Sequence, residues 1–337
     1  MAEAFPDFTP VNLLTGCLGS GKTTLLQRLL ADPQFSDCAV LINEFGEVGL
    51  DHHLLERIDE TMVLLQSGCV CCTIRGELSD AIRDLHERRA RSEIPPFQRL
   101  VIESTGLADP FPILSTVHSD PVLRHHFRLG NVIATIDAVN AAHQLDAQEE
   151  CARQIAVADR LILTKTDIAE ADVVARVLRR ITAINPAAPL WRSAETPPSA
   201  EELLSQDDVA LHHEALPSVP PAHHHAHAHS DIHAFALAFD APLDWTLFGI
   251  WLTMLLNRHG QRVLRVKGIL NIAGNATPVA IHGVQHLVHP PLHLRAWPDA
   301  ARQSRLVFIV KGLEQGRIAQ SLRAFGLGGA LVAVPPA

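Results

Sequence analysis

The segment 16–23 constrains the fold of this chain more than any other part of its sequence. It reads GCLGSGKT, follows the apolar run VNLLT and is succeeded by the helix-forming run TLLQRLL. In this pattern the glycines let backbone N–H groups surround phosphate oxygens, and the N-terminus of the next helix faces the same anion. The alternative is a glycine-rich turn that contains a lysine by chance. Because a strand precedes the segment and a helix follows it, we expect a phosphate-binding loop.

The residue types in this loop indicate specific roles. Lys22 is expected to reach the β- and γ-phosphates of a nucleotide, and the Thr23 hydroxyl is expected to ligate Mg²⁺. Lysine is rare in this chain, which has only four lysines against 24 arginines. The nucleotide-binding residues predicted from the loop are Gly16, Gly19, Ser20, Gly21, Lys22, Thr23 and Thr24.

The alternation of apolar runs and helix-period segments predicts the fold class. The apolar runs read VNLLT, CAVLI, TMVLL, RLVIE, NVIATID and RLILTKTD, and the helical segments span residues 22–30, 77–91, 148–157 and 171–184. Short apolar runs without strict alternation are typical of strands buried on both faces of a parallel sheet. Residues 1–195 are therefore predicted to form an α/β P-loop NTPase domain with a mostly parallel, doubly wound sheet.

The pattern changes twice after this domain. Residues 196–232 are rich in Pro, acids and His, with one short helical patch at 201–204, and are predicted to be a linker. Strand and helix patterns return from residue 233 to the end of the chain. Residues 233–337 are therefore predicted to form a smaller α+β domain.

The composition excludes several classes of protein. The 337 residues carry 28 Lys plus Arg against 37 Asp plus Glu, a net charge of −9, which argues against a protein that binds nucleic acid by covering phosphates. No apolar run approaches the ~20 residues of a membrane span, and the first ten residues lack a signal-peptide pattern. We expect a cytoplasmic protein, in which the six cysteines are thiols or metal ligands before they are disulfides.

A carboxylate stands at the end of the fourth apolar run. Glu103 begins the sequence ESTG, which follows the phosphate loop in the chain order expected of a Walker-B acid that holds Mg²⁺. Gly106 is placed to offer its N–H to the γ-phosphate. A strand-end Glu that caps the next helix is the alternative. Lys22, Thr23, Glu103 and Gly106 are the predicted catalytic residues.

The sixth apolar run ends in TKTD, the guanine-recognition pattern [NT]KxD. Asp167 can accept hydrogen bonds from guanine N1–H and N2–H₂, which adenine does not offer together, while the stem of Lys165 lies over the base. Asp167 as the N-cap of the following helix is the alternative, and both roles are compatible. Thr164, Lys165 and Asp167 are thus predicted to bind the base, and GTP is the predicted nucleotide.

Three cysteines form a CxCC motif after the third apolar run. As thiolates, Cys69, Cys71 and Cys72 suit a soft or borderline ion such as Zn²⁺, Co²⁺ or Cu⁺, with zinc first and cobalt second among the expected metals. Cys38 and Cys151 are predicted to be small buried side chains.

The polar loop NEFGEVGLD lies between the phosphate loop and the CxCC motif, where a nucleotide-sensing switch belongs. The carboxylates of this loop, Glu44 among them, suit Mg²⁺ or the thiolate-bound metal, and a solvated loop with neither role is equally compatible.

The chain has 20 histidines, of which eight fall between residues 212 and 233, including HHHAHAH. A flexible metal-collecting arm is one interpretation, and a low-complexity linker without metal is the other. A second group, His282, His286, His289 and His293, has no ligand-like spacing and is predicted to be ordinary.

The motifs GCLGSGKTTLL, NEFGEVGLD, GCVCCTIRGEL, ESTGLADP and ADRLILTKTD, in this order, resemble those of the CobW family of metal-handling P-loop GTPases. The resemblance extends to KGIL and RLVFIV in the C-terminal domain. It implies that Glu103 replaces the usual Walker-B Asp and that Cys69, Cys71 and Cys72 are the metal motif. Cys17 departs from the family pattern, which has an aromatic or small residue there.

The resemblance implies slow GTP hydrolysis coupled to the loading or release of a metal at a client protein. The motifs identify neither that client nor an oligomeric state. The alternative function is a metal buffer or regulatory metal-binding protein in which hydrolysis is incidental. A P-loop kinase is a third hypothesis, which the TKTD motif disfavours. Because no arginine finger or catalytic Gln is identifiable, intrinsic turnover is expected to be slow.

Overall fold

The computed structural model describes residues 8–35, 37–45, 62–67, 73–205, 231–327 and 331–332. These residues fall into two compact units. The first comprises Met1–Gln144, Ala158–Val174 and Leu190–Gln206, and the second comprises Leu145–Val157, Ala175–Pro189 and Asp207–Ala337. This division differs from the contiguous one predicted from the sequence, because two segments from the first half of the chain group with the C-terminal half.

The elements of the first half of the chain alternate as the sequence predicted. In chain order they are β1 (Thr9–Gly16), α1 (Lys22–Leu30), β2 (Cys38–Phe45), β3 (Met62–Ser67), α2 (Thr73–Ala90), β4 (Arg99–Glu103), α3 (Pro110–Ser119), α4 (Leu123–His126), β5 (Phe127–Asp137), α5 (Ala141–Ala147), α6 (Glu149–Val157), β6 (Arg160–Thr164), α7 (Ala171–Ile184), β7 (Leu190–Arg192) and α8 (Ala200–Leu204).

Seven described strands form one parallel sheet in the order β3-β2-β4-β1-β5-β6-β7. Every pairing between them is parallel, for example Leu14 of β1 with Glu103 of β4 and Gly16 of β1 with Thr135 of β5. The chain leaves β1 toward β2 on one side and later returns to β5 on the other. The strand order therefore reverses beside β1, and in open α/β sheets ligands bind in the crevice at such a point. The predicted doubly wound α/β fold is confirmed.

One hydrophobic core of this unit joins α1, β2 and the short helix α8. Leu25, Leu26 and Leu29 of α1 pack in it with Leu203 and Leu204 of α8, all of them buried. Helix α8 begins with a capping box in which Ser199 and Glu202 satisfy each other's backbone N–H groups. The sequence-based linker prediction, which started at residue 196, therefore included a packed element of the first unit.

Helices α2 and α3 are joined by hydrogen bonds to one carboxylate, that of Asp120. Asp120, the C-cap of α3, accepts hydrogen bonds from Ser79 at 2.5 Å and from Arg83 at 2.6 Å, both on α2. Burial acts to raise the pKa of Asp120, but these bonds and those from the amides of Leu123 and Val122 outweigh it and lower the pKa to about 2. The paired, ionised carboxylate therefore stabilises the packing of α2 on α3.

The C-terminal half contains a second, antiparallel sheet. Its elements are β8 (Ile232–Phe239), α9 (Trp245–His259), β9 (Val263–Leu270), β10 (Val279–Val284), β11 (Leu287–Val288), β12 (Leu292–His293), β13 (Ser304–Lys311), α10 (Gln315–Ala324) and β14 (Leu331–Val332). The described strands are ordered β11-β10-β9-β13-β8-β14, with β12 paired to β10. Phe308 of β13 and Trp251 of α9 are buried in the core of this half, where their rings are in edge-to-face contact.

In the part of the chain that the structure describes, no helix combines the length and the hydrophobicity needed to cross a membrane.

The lowered pKa of Asp120 predicts how the stability of the folded chain depends on pH. Because its pKa falls from 3.8 to about 2 on folding, Asp120 stabilises the folded chain above its unfolded pKa and loses this effect as the pH falls toward 2. Asp120→Asn is therefore expected to lower the free energy of unfolding near neutral pH by about 2 kcal/mol. Urea denaturation from pH 7 downward should show this difference shrinking below about pH 4.

The matched control is Asp80, which is 3.9 Å from the same Arg83 but has a side chain 78% exposed. Asp80→Asn is expected to change stability by less than about 0.5 kcal/mol. Equal losses in the two variants, or a loss at Asp120 that does not depend on pH, would contradict this account.

Candidate nucleotide-binding site

Four strand ends converge at the carboxyl edge of the parallel sheet. Strands β4, β1, β5 and β6 are neighbours in this order, and they end at Glu103, Gly16, Asp137 and Thr164. Because the strands are parallel, their last residues lie at the same edge. The structure thus brings together the phosphate loop, the predicted Mg²⁺ ligand and the predicted base-binding motif.

The phosphate loop links β1 to α1. Gly21, the N-cap of α1, has φ 90°, a left-handed conformation that a glycine adopts without strain. Because Gly21 has no side chain, the N-cap residue does not cap this helix N-terminus, whose first amides face the loop. Lys22 is buried, and its ammonium donates hydrogen bonds to the carbonyls of Gly16 at 2.9 Å and Cys17 at 3.2 Å. The lysine charge therefore lies across the mouth of the loop, where phosphate oxygens bind in this motif.

A buried hydroxyl network holds the loop against the neighbouring strands. Ser20 Oγ lies 2.7 Å from Thr135 Oγ1 of β5, and Thr164 Oγ1 of β6 donates to the Ser20 carbonyl at 2.9 Å and to the Ile136 carbonyl at 3.1 Å. Thr164 was predicted to bind the base. That stays a prediction; its hydroxyl contacts the phosphate-loop backbone and so connects the TKTD motif to the loop, a contact that the sequence pattern does not reveal.

Thr23 and Glu103 lie in direct contact. The Thr23 hydroxyl donates to Glu103 Oε1 at 2.8 Å, and Glu103 is only 5% exposed. Mg²⁺ takes hard oxygen ligands and often uses one or two protein groups together with phosphate oxygens and water. A hydroxyl and a carboxylate at this separation beside the phosphate loop fit such an ion.

The loop after β4 runs against the phosphate loop. A Cβ placed on Gly106 would lie 2.6 Å from the backbone nitrogen of Leu18, so only glycine allows this approach. Ser104 reinforces the contact through hydrogen bonds from its N–H to the Leu14 carbonyl and from its hydroxyl to Thr15. The predicted position of Gly106, within reach of a bound γ-phosphate, is consistent with this geometry.

The predicted base motif forms a strained turn after β6. Lys165 has φ 59°, a conformation that residues other than glycine seldom adopt outside functional sites. Its ammonium lies 2.7 Å from Asp137 Oδ2 of β5. Asp167 is exposed in the same turn and is free of strand pairing. Sequence reasoning missed Asp137, because its only signal was a carboxylate at the end of the apolar run NVIATID.

The predicted metal motif lies outside the described residues. These residues are Cys69, Cys71 and Cys72, and the side chain of Glu44 is likewise outside them. The backbone of Glu44 belongs to β2, two residues beyond Ile42, which pairs with Glu103. Glu44 therefore lies at the same sheet edge as the phosphate loop.

Of the cysteines outside the CxCC motif, Cys38 and Cys151 were predicted to be small buried side chains. Cys38 is a free, buried thiol, and burial followed by the Asp37 charge raises its pKa, so it stays protonated at neutral pH. Cys151 is buried as predicted, but Cys17 and Cys151 are each in a disulfide bond and not free thiols. This corrects the expectation of thiols at these two positions, which rested on the presumed compartment and not on geometry.

The histidine-rich segment of residues 223–229 also lies outside the described residues. In the second group, the rings of His282 and His289 have centroids 6.3 Å apart. No three His, Cys, Asp or Glu side chains converge on a metal position within the described ranges.

Comparison with known proteins gives two family matches. The family described as CobW/HypB/UreG, nucleotide-binding domain, matches residues 10–192, and the cobalamin synthesis protein cobW C-terminal domain matches residues 232–326. The first match covers the strands of the parallel sheet from residue 10 on, and the second covers the antiparallel sheet except β14.

Full-length relatives are also similar to this chain. The zinc chaperone YjiA of Escherichia coli is 36% identical over 300 residues, which cover 89% of this chain and 93% of that protein. The zinc chaperone CobW of Pseudomonas aeruginosa is 31% identical, with 93% and 90% covered. The crystal structure of Zn(II)-bound YjiA GTPase from E. coli superposes with a TM-score of 0.71 at 31% identity, over 94% of this chain and 99% of that one.

The Thr23–Glu103 contact generates a test of the Mg²⁺ site. Glu103→Gln keeps an oxygen for the Thr23 hydroxyl but removes the negative charge that attracts a divalent cation. The Mg²⁺ concentration for half-maximal nucleotide hydrolysis is expected to rise about tenfold or more. The control is Asp109→Asn, since Asp109 caps α3 in the same loop and Asn caps equally well. An unchanged Mg²⁺ requirement in Glu103→Gln would rule out this carboxylate.

Proposed function

The chain belongs to the CobW/HypB/UreG family and is a P-loop GTPase, and we propose that it uses GTP to load zinc onto a client protein. The observation that carries the proposal is the convergence of the phosphate loop, Glu103 and the TKTD turn at one sheet edge, with the CxCC motif immediately preceding α2. The names of the relatives, two zinc chaperones, support zinc as the metal.

Binding of the triphosphate follows from the loop geometry. Lys22 exchanges its bonds to the Gly16 and Cys17 carbonyls for bonds to the β- and γ-phosphates, and the first amides of α1 face the same oxygens. Thr23 and Glu103 would hold Mg²⁺, which would neutralise charge on the phosphates. Gly106 presents its N–H to the γ-phosphate from the loop that lies against Leu18.

Recognition of the base is assigned to the turn after β6. Asp167 is exposed, with its carboxylate available for the guanine N1–H and N2–H₂ donors. The Lys165 stem, whose ammonium is held by Asp137, provides the surface on which the base lies. This division of roles accounts for a preference for GTP over ATP.

Zinc binding is assigned to Cys69, Cys71 and Cys72, because three thiolates suit this ion better than any oxygen donor set. Glu44 is a candidate fourth ligand or a ligand of Mg²⁺, since its backbone lies at the nucleotide edge of the sheet. The zinc ion is cargo in this proposal and not a resident cofactor.

Communication between nucleotide and metal is proposed to run through helix α2. This helix begins at Thr73, directly after Cys72, and its first half is anchored to α3 by Asp120. Helix α3 in turn follows the loop that contains Gly106. A change in that loop when the γ-phosphate leaves is therefore transmitted to the start of α2, and with it to the cysteines.

Transfer of zinc to a client protein is the step that hydrolysis would control. Slow intrinsic hydrolysis suits this task, because a metal or a partner can then set the timing. A metal buffer with incidental hydrolysis makes the opposite prediction, namely that turnover ignores zinc.

The zinc response of the GTPase tests the proposal. We expect Zn²⁺ to change the hydrolysis rate of the wild-type protein and to leave the rate of Cys71→Ala unchanged, since that variant lacks a ligand. Cys38→Ala is the control, because Cys38 is a buried, protonated thiol outside the motif, and it should keep the wild-type zinc response. Wild-type hydrolysis that is indifferent to zinc would favour the buffer.

The base preference tests the role of Asp167. Asp167→Asn replaces an acceptor of two donors with a mixed donor and acceptor, so GTP affinity should fall by about tenfold or more while XTP, with an oxygen in place of the 2-amino group, gains. Competition binding with GTP, XTP and ATP measures this. A variant with unchanged relative affinities would exclude Asp167 from base recognition.

A further inference from the structure

The carboxylate of Asp137 accepts hydrogen bonds on both oxygens, although Asp137 lies at the end of an apolar strand. It is the last residue of β5 and is 1% exposed. Its Oδ1 accepts from the amides of Val139 at 2.8 Å and Asn140 at 3.3 Å, and its Oδ2 accepts from Asn140 Nδ2 at 2.8 Å and from Lys165 Nζ at 2.7 Å. Both oxygens are therefore satisfied inside the first unit.

The charge state of Asp137 is fixed by these contacts. Burial works to raise its pKa, but the hydrogen bonds from Lys165, from the Asn140 side chain and from the amides of Val139 and Asn140 outweigh it and lower the pKa below the ordinary value. A buried carboxylate that kept only its neutral partners would be costly. The Lys165 ammonium is thus the charged partner that this position requires.

Lys165 is constrained at both ends. Its backbone is in the left-handed region at φ 59°, and its ammonium is tied to a buried carboxylate on the adjacent strand. Between these points the methylene stem has little rotational freedom, although the side chain is still 37% exposed. An exposed stem that is held in place offers an apolar surface on which a flat ring can stack. Because the stem is already ordered, binding a ligand costs little further side-chain entropy.

We propose that Asp137 is a positioning residue that fixes the Lys165 stem as the platform for the purine ring, an inference that rests on the proposed assignment of the TKTD turn to the base. Asp137 then contributes to the affinity for every nucleotide that stacks on this platform. It does not contribute to the discrimination of guanine, which belongs to the hydrogen bonds of Asp167. The carboxylate at the end of β5 and the carboxylate in the turn after β6 therefore have separable effects.

The same strand end also connects to the phosphate loop. Helix α5 follows Asp137 after a short turn, and Gln144 of α5 donates from Nε2 to the Leu18 carbonyl at 2.8 Å. Asp137 thus organises the turn between the base side and the phosphate side of the site. A purely structural role in this turn is the competing explanation, and the experiment must separate it from an action through Lys165.

A double-mutant cycle on the full-length chain separates them. Dissociation constants for GDP and IDP are measured for the wild type, Asp137→Asn, Lys165→Met and the double variant; IDP lacks the 2-amino group of guanine. Asp137→Asn keeps an oxygen for the backbone amides but loses the charge that holds Lys165. It is expected to weaken GDP and IDP binding by the same factor, about tenfold. In the Lys165→Met background it is expected to cause no further loss.

Asn140→Ala is the matched control, because it removes a neutral hydrogen bond to the same Asp137 oxygen and leaves Lys165 in place. It should weaken GDP binding less than about twofold. Equal losses in both Lys165 backgrounds, or a loss in Asn140→Ala as large as in Asp137→Asn, would overturn the proposal in favour of a structural role. A changed GDP-to-IDP ratio in Asp137→Asn would overturn it in favour of direct discrimination.

A different result would refute the proposed binding of guanine by the TKTD turn. A wild-type protein that binds ADP as tightly as GDP would refute guanine recognition by the TKTD turn, whereas the cycle above concerns only how Asp137 acts. Thermal unfolding of each variant without nucleotide sets the temperature at which binding is measured, so that every variant is compared in its folded state.

Discussion

The parallel pairing of β1 with β4 and β5 is the constraint on which the site depends. Leu14 pairs with Glu103 and Gly16 pairs with Thr135, so the phosphate loop leaves the sheet between a carboxylate on one side and a hydroxyl on the other. The Thr23–Glu103 and Ser20–Thr135 contacts follow from this register. A shift of one residue would turn Glu103 to the opposite face, away from Thr23.

The hydrogen bonds of Thr164, Lys165 and Asp137 extend this order to the base side. Thr164 links β6 to the Ser20 carbonyl, and Lys165 links the same turn to Asp137 on β5. The phosphate loop and the TKTD turn, the proposed phosphate and base subsites, are therefore parts of one hydrogen-bonded network. Asp120 in turn holds Ser79 and Arg83 of α2, the helix that begins directly after the CxCC motif in the sequence.

The sequence predicted the fold and the phosphate loop well, because both depend on local patterns. Helix α1 has the predicted bounds, and Glu103 ends its strand as the apolar run indicated. The contacts of Asp137 with Lys165 and of Thr164 with Ser20 were not predictable, since they arise between residues far apart in the chain. Helix α8 was taken for part of a linker, because its Leu203 and Leu204 acquire meaning only from the core that receives them.

The central claim is that the nucleotide at this sheet edge controls zinc at the CxCC motif. The most direct test is a competition titration of Zn²⁺ with a chromogenic chelator on the protein loaded with GDP and, separately, with a non-hydrolysable GTP analogue and Mg²⁺. The account predicts zinc affinities that differ by about fivefold or more between the two states. Equal affinities in both states would contradict it, because a nucleotide without differential coupling to the metal site cannot control loading or release.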